Sequence, residues 1–253
     1  VKKNYIKIYF DKIFWNLYAT AYDDISKYYN AYKLLMREII GFIAKNIKTG
    51  SKILDAGCGT GALSIGLAAI RYKIFAVDIS NSMLDIFRHK IRKLNYKNFN
   101  ISNADLNRKL KFGKNIFDCV INVHSLFMMN DIFFTLRQFD NILKPGGLII
   151  IAHPKPIKFI SSANAIIKDE GLFKGMISIF RLLRVAFFNM FLRQIHKRVY
   201  GVIPADKIIK FYKNKKYRLI FKKDAYYGTD TLIAMKKPVK KQIHLWSARR
   251  KNG

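Results

Sequence analysis

Acidic side chains are scarce in this sequence. Only 16 Asp and Glu stand against 47 Lys and Arg, a formal net charge of +31 over 253 residues. That balance fits poorly with a polycationic ligand and favours anionic partners, either nucleic acid or acidic lipid. Cysteine is almost missing. Cys58 and Cys119 cannot build a disulfide framework, which points to a reducing compartment. Fourteen Gly and five Pro are too few for a collagenous or low-complexity chain. No run of roughly 18 uncharged apolar residues occurs, so no ordinary transmembrane helix is expected. The nearest stretch, 176–192, is interrupted by Arg181 and Arg184. The first ten residues alternate Lys with Ile, Tyr and Phe and lack the apolar segment of a secretory signal. These absences predict a cytoplasmic protein, either free or peripheral at a membrane.

Apolar residues are plentiful. They make up 51% of the chain, enough to bury a core, so global disorder is excluded. The basic excess lies toward the C-terminus: residues 155–223 carry 17 basic and 3 acidic side chains, and 236–253 carry 7 basic and none acidic. Either an anionic contact or the drift of a Lys-, Ile- and Asn-rich composition accounts for it.

Residues 1–48 have apolar positions at helical spacing, such as Leu34, Leu35, Ile39, Ile40 and Ile43. Beyond Thr49-Gly50, short β-branched runs alternate with amphipathic stretches. Strands are expected at 52–55, 74–77, 100–102, 117–122 and 148–152, and a closing pair at 218–222 and 231–235. Helices are expected at 62–70, 82–94, 132–143 and 204–213, with Pro204 in the first turn of the last. The alternation implies an α/β fold with a mostly parallel, seven-stranded, Rossmann-like sheet sandwiched by helices. The expected organisation is an N-terminal helical cap (1–50), a core (51–154), a basic amphipathic helical lid inserted after strand five (155–203), a closing helix and strand pair (204–237) and a basic tail (238–253).

The segment Ile53-Leu54-Asp55-Ala56-Gly57-Cys58-Gly59-Thr60-Gly61 joins the first strand to its helix. Its glycines permit a tight turn and close approach of a ligand to the backbone. The dinucleotide fingerprint GxGxxG is not matched, because the third glycine comes one residue early. Asp55 also puts a carboxylate where a pyrophosphate would want positive charge, which favours a cationic or zwitterionic ligand. Asp78, at the end of the second strand, can accept both hydroxyls of a ribose. The plain alternative is a glycine turn in an unspecialised α/β protein.

Five motifs in order tip the balance. ILDAGCGTG (53–61), FAVDIS (75–80), NADLN (103–107), FDCVINVHSLFMM (117–129) and LKPGGLIII (143–151) make the chain resemble class I S-adenosylmethionine-dependent methyltransferases, in particular the small-molecule branch of quinone and lipid methyltransferases. The resemblance implies S-adenosyl-L-methionine as cofactor and no metal. It places Gly57 and Gly59, with Cys58 and Gly61 in the same turn, along the methionine part, and Asp55 at its amino group. Asp78 would hold the ribose, Ile79 and Met83 would flank the adenine, and Ala104 and Asp105 would meet its polar edge. Asn122 and His124 would stand at the lip facing the substrate. WNLYATAYDD (15–24) resembles an entry segment in which Tyr18 or Tyr22 closes over the cofactor; core packing is the alternative for both.

The acceptor is argued from the lip. Asn122-Val123-His124-Ser125 replaces the [DN]PPY of methylases acting on base amines, and Cys119 sits mid-strand as an expected inert core thiol. His124 and His153 lie at strand ends and are candidate general bases, with Tyr22 as a third candidate catalytic group. From Leu172 to His196 apolar residues dominate, and Lys174, Ser178, Arg181, Arg184, Arg193 and His196 form a narrow cationic stripe. Such a helix packs as an ordinary cap, mediates a dimer, or serves as a lid facing a membrane or lipid. The expectation is a methyltransferase for a hydrophobic or lipid-like small molecule, with an anionic membrane surface as partner, as monomer or homodimer. The alternative is an RNA methyltransferase using the basic C-terminal surface.

Overall fold

A computed structural model describes residues 2–155, 159–195 and 202–239. Seven strands form its centre: β1 (Lys52–Ala56), β2 (Lys73–Asp78), β3 (Phe99–Asn103), β4 (Phe117–Val123), β5 (Leu143–Pro154), β6 (Arg218–Ala225) and β7 (Asp230–Lys236). Their order in the sheet is β3-β2-β1-β4-β5-β7-β6, all parallel except β7, which runs antiparallel to both neighbours. The inner strands are apolar runs because helices cover both faces. Successive side chains point to opposite faces, so Ile53 joins one core cluster and Leu54 the other.

Among the described residues eight α-helices flank the sheet: α1 (Lys2–Tyr28), α2 (Asn30–Asn46), α3 (Ala62–Ala69), α4 (Asn81–Leu94), α5 (Ile132–Ile142), α6 (Phe159–Glu170), α7 (Leu172–Ile195) and α8 (Ala205–Asn214). Residues of α2 and α3 pack in one cluster; those of α5 and α8 pack in the other. Ser80 caps α4 by accepting from the N–H of Met83 at 3.3 Å. Pro204 is the residue before α8 rather than part of its first turn.

β5 begins five residues earlier than expected, at Leu143. Pro145-Gly146-Gly147 lies inside the strand, beside an irregularity between Phe117 and Cys119 of β4. A side chain at Gly147 would meet Leu143 at 2.8 Å and the carbonyl of Asp118 at 3.0 Å, so the glycine permits the close pairing. The breakers therefore bend the strand instead of delaying it. The order of the sheet reverses between β1 and β4, which opens a crevice at the C-terminal strand ends, where open α/β sheets bind ligands. The expected tail falls almost wholly on residues 240–253, outside the described residues.

Candidate active site

The β1–α3 turn is held largely by its own backbone. Gly57 and Cys58 donate to the carbonyl of Val77 at 2.8 and 3.0 Å, Gly61 donates to Cys58, and Gly59 donates to Oδ2 of Asp78 at 2.9 Å. Ser80 donates to the other oxygen, Oδ1, also at 2.9 Å. Asp78 thus pins the turn with one oxygen and the start of α4 with the other. Burial raises its pKa, and the backbone donors work against that rise. No cation pairs with it among the described ion pairs, so each oxygen retains accepting capacity toward the crevice.

Gly57, Gly59, Asp78, Ile79, Met83, Ala104 and Asp105 all line this crevice, together with Tyr18, Tyr22 and His124. Ile79 is 45% exposed although apolar, so it presents a bare hydrophobic edge beside Met83 and Leu106. A Cβ on Gly59 would stand 3.3 Å from the ring of Tyr22. Glycine at this position therefore lets the turn come close under α1. The roof is fixed by charge: Asp23 of α1 pairs with Lys90 of α4 and, at 2.7 Å, with Lys27. Lys90 also donates to the carbonyl of Thr60 at 3.0 Å, tying α1 to the glycine turn.

Five of the expected site residues do not line the crevice. Asp55 is 3% exposed and accepts from the hydroxyl of Ser64 at 2.7 Å, so it faces α3 rather than a ligand. Burial and the neighbouring Asp78 push its pKa up to about 6. Asn122 is fully buried. Its amide donates to Ala56 and Ser125 and accepts from Leu126, so it braces the β4 exit against the end of β1. Cys58 packs into the core with its thiol pKa pushed up by burial. Gly61 has φ +81°, and a Cβ there would strike the Phe87 ring at 2.2 Å, so the glycine serves helix packing. His153 is buried on β5 with Nε2 on the carbonyl of Ile203 at 3.0 Å, its Nδ1 unpartnered and its pKa lowered by burial. Cys119 is fully buried and burial raises its pKa, leaving it an inert thiol.

His124 takes the opposite position. It leaves β4 with φ +54°, a conformation rare outside glycine, and opens onto both the crevice and a second cavity of about 470 Å³. Its Nε2 meets Oδ2 of Asp230, the first residue of β7, in a short contact. Asp230 is 3% exposed, and the reading of the sequence overlooked it. The ring of Tyr226 packs edge-on against His124 with centroids 4.9 Å apart. Tyr226 and Tyr227 both have positive φ, so a strained turn sets this wall of the cavity. Tyr22 and Tyr32 form another wall, hydrogen-bonded to each other; burial raises both pKa values and keeps both phenols neutral. Tyr18 closes the same side and donates to Asn189 of α7 at 2.9 Å.

The second cavity is roofed by Leu182, Val185, Ala186 and Asn189 of α7. Part of the expected cationic stripe on this helix is held by the protein, while Lys174 is exposed. Arg184 pairs with Asp24 at 3.2 Å, Arg181 lies 4.5 Å over the Tyr28 ring, and Ser178 donates to Glu170 at 2.5 Å. His196 lies outside the described residues. Among the described residues no group of His, Cys, Asp and Glu could hold a metal, and no helix is long and apolar enough to cross a membrane.

A seven-stranded sheet of this order, with a glycine turn, an acidic second-strand end and a crevice at its switch point, is the fold of class I S-adenosylmethionine-dependent methyltransferases, which the chain resembles in sequence and shares in architecture. Residues 53–147 match the methyltransferase domain family model. A demethylmenaquinone methyltransferase from Staphylococcus saprophyticus is 34% identical over 108 residues, covering 42% of this chain and 45% of that protein. The ubiquinone/menaquinone biosynthesis C-methyltransferase UbiE of Haemophilus ducreyi is 34% identical over 116 residues, 44% of each chain. The match therefore spans less than half the length of either relative. In fold, the chain is similar to magnesium protoporphyrin IX methyltransferase from Synechocystis, solved with bound SAH, at TM-score 0.58 and 18% identity, over 82% of this chain and 84% of that one.

Proposed function

We propose that the protein transfers a methyl group from S-adenosyl-L-methionine to a hydrophobic, lipid-like small molecule seated beneath α7. The observation that carries this reading is the junction at His124: one histidine, paired with a buried carboxylate, opens onto both the cofactor crevice and a large apolar cavity.

The crevice fits the cofactor by its chemistry. The N–H groups of residues 57, 58, 59 and 61 are already used internally, so they do not form a phosphate cradle. Asp78 offers two acceptors to a vicinal diol, and Ile79, Met83 and Leu106 offer an apolar slot for a flat ring. The N–H of Ala104 is bonded to Asp78 O at 3.0 Å, and Asp105, whose Oδ1 accepts from the backbone and amide of Asn107 at 2.9 Å, stands at the polar edge of the slot. Asp55 and Asp78 make the local field negative, suited to a cationic ligand. When bound, the cofactor supplies an activated methyl group, so the protein has to align a nucleophile and exclude water.

His124 is the candidate base for that nucleophile. Asp230 accepts the Nε2 proton, which fixes the tautomer and leaves Nδ1 as the basic nitrogen. Tyr22 and Tyr32, neutral at ordinary pH, orient a polar head, while the aromatic and α7 walls hold an apolar body. The quinone methyltransferases among the relatives support an acceptor of this class.

The test is incubation with methyl-labelled cofactor and either a membrane lipid extract or bulk RNA. Label recovered in the organic phase is the expected outcome. Label in RNA alone would replace the acceptor, and failure to bind the cofactor in calorimetry would remove the whole reading.

A further inference from the structure

α7 is apolar on the wrong side for a helix that only packs onto its own domain. Phe173, Met176, Phe180, Leu183, Phe187 and Met190 recur three and four residues apart and so share one face. All six are exposed: Phe173 to 78% and Phe180 to 64%. The opposite face, with Leu182, Val185 and Asn189, roofs the second cavity. Soluble monomers rarely leave a contiguous apolar strip of this kind in water. Lys174 is exposed on the flank of the strip, and Arg181 and Arg184 follow on the same side, anchored at one edge to α1.

We infer that this outer face of α7 docks on an anionic lipid bilayer, with the helix lying in the interface plane. Two observations choose a bilayer over a second copy of the chain. A symmetric dimer through α7 would bring together two chains each carrying +31, whereas an anionic headgroup layer is attracted by that charge. One flank of the strip also carries Lys174, exposed, and Arg181 and Arg184, part-exposed and steadied by Tyr28 and Asp24, which places cationic groups beside the apolar face as in a helix set apolar-side-down among headgroups. Docking in this orientation puts the cavity one helix thickness from the acyl chains. That last consequence rests on the proposed lipid-like acceptor; the docking itself does not.

The experiment is co-sedimentation of the full chain with vesicles of phosphatidylcholine alone or mixed with phosphatidylglycerol. Binding is expected to the mixed vesicles. The triple variant Phe173→Ser, Phe180→Ser, Phe187→Ser keeps every charge and is expected to bind more than about tenfold more weakly. Wild-type-like binding by the variant would mean attachment by charge alone and would overturn the inference. So would no binding by the unaltered chain, or a lipid-free dimer in analytical ultracentrifugation that the variant abolishes. Calorimetry of the triple variant with S-adenosyl-L-methionine separates the two readings. Retained cofactor affinity with lost vesicle binding supports the docking. A wild-type chain that binds vesicles but not cofactor retains the docking and loses the methyltransferase assignment.

Discussion

The crevice and the cavity beside it are built in different ways. The crevice is local: its floor comes from 57–59, 78–83 and 104–107, three short segments at the ends of adjacent parallel strands. The cavity is assembled from distant parts, with Tyr32 on α2, His124 after β4, Asp230 on β7 and Leu182 on α7. A locally coded site constrains few residues tightly. An assembled site lets each wall change independently, which suits one cofactor shared by many acceptors.

The comparison breaks most directly at Asp78. Asp78→Ala removes the proposed diol acceptor and leaves the N–H groups of Gly59 and Ser80 without their partner. Cofactor affinity in calorimetry is expected to fall more than about 100-fold, given roughly 1.5–3 kcal/mol for each charged hydrogen bond. Unchanged affinity would sink the site assignment. On the other side, Asp230→Asn should lower the methyl-transfer rate by about 100-fold while cofactor affinity stays within about twofold, and Asp230→Glu should restore part of the rate. An equal loss of cofactor binding would show that the two sites are not separable at His124.

Two smaller effects sharpen the contrast. Lys90→Met leaves the buried carboxylate of Asp23 with Lys27 alone and releases the roof from Thr60. Cofactor affinity should drop by about tenfold, with a lower melting temperature, because a buried carboxylate loses one of its two cations and α1 loses its tie to the glycine turn. Asp55 gives a pH test. Its folded pKa, about 6, lies above the unfolded value, so its favourable contribution is full at low pH and lost as pH rises through 6. Asp55→Asn should therefore gain stability relative to the parent at pH 8, about half as much at pH 5 and little below about pH 4. Cofactor affinity of the parent should weaken a few-fold as pH falls below about 6, where the carboxylate neutralises; a flat profile would remove Asp55 from the field of the site.

The sheet and the crevice were legible because each depends on neighbours in sequence. Alternating strands and helices, the glycines at 57, 59 and 61 and the carboxylate at 78 lie in continuous segments with a short-range logic. Asp230 was not legible. Nothing in Thr229-Asp230-Thr231 marks it, and its role depends on β7 inserting beside β5, so that 106 residues of separation collapse to one contact. His153 shows the converse. A strand-end histidine looked available, yet Ile203 caps one nitrogen and burial closes off the other. Asp55 and Asn122 were placed at the cofactor and the lip by the resemblance of their motifs. Here their hydrogen bonds brace the turns on which the ligand groups stand. The α7 stripe was legible in sequence but not its facing, because spacing alone does not say which face meets the protein.

The turn between β6 and β7 ties the second cavity to its cover. Tyr226 leans on His124, while its neighbour Tyr227 reaches Asp169 at the end of α6. Both backbones sit in the left-handed region, so neither can relax without disturbing the other. Enlarging the cavity by trimming residue 226 would therefore tug on the α6–α7 hairpin as well, and adaptation to a bulkier acceptor would have to proceed through paired changes at both ends of that lever.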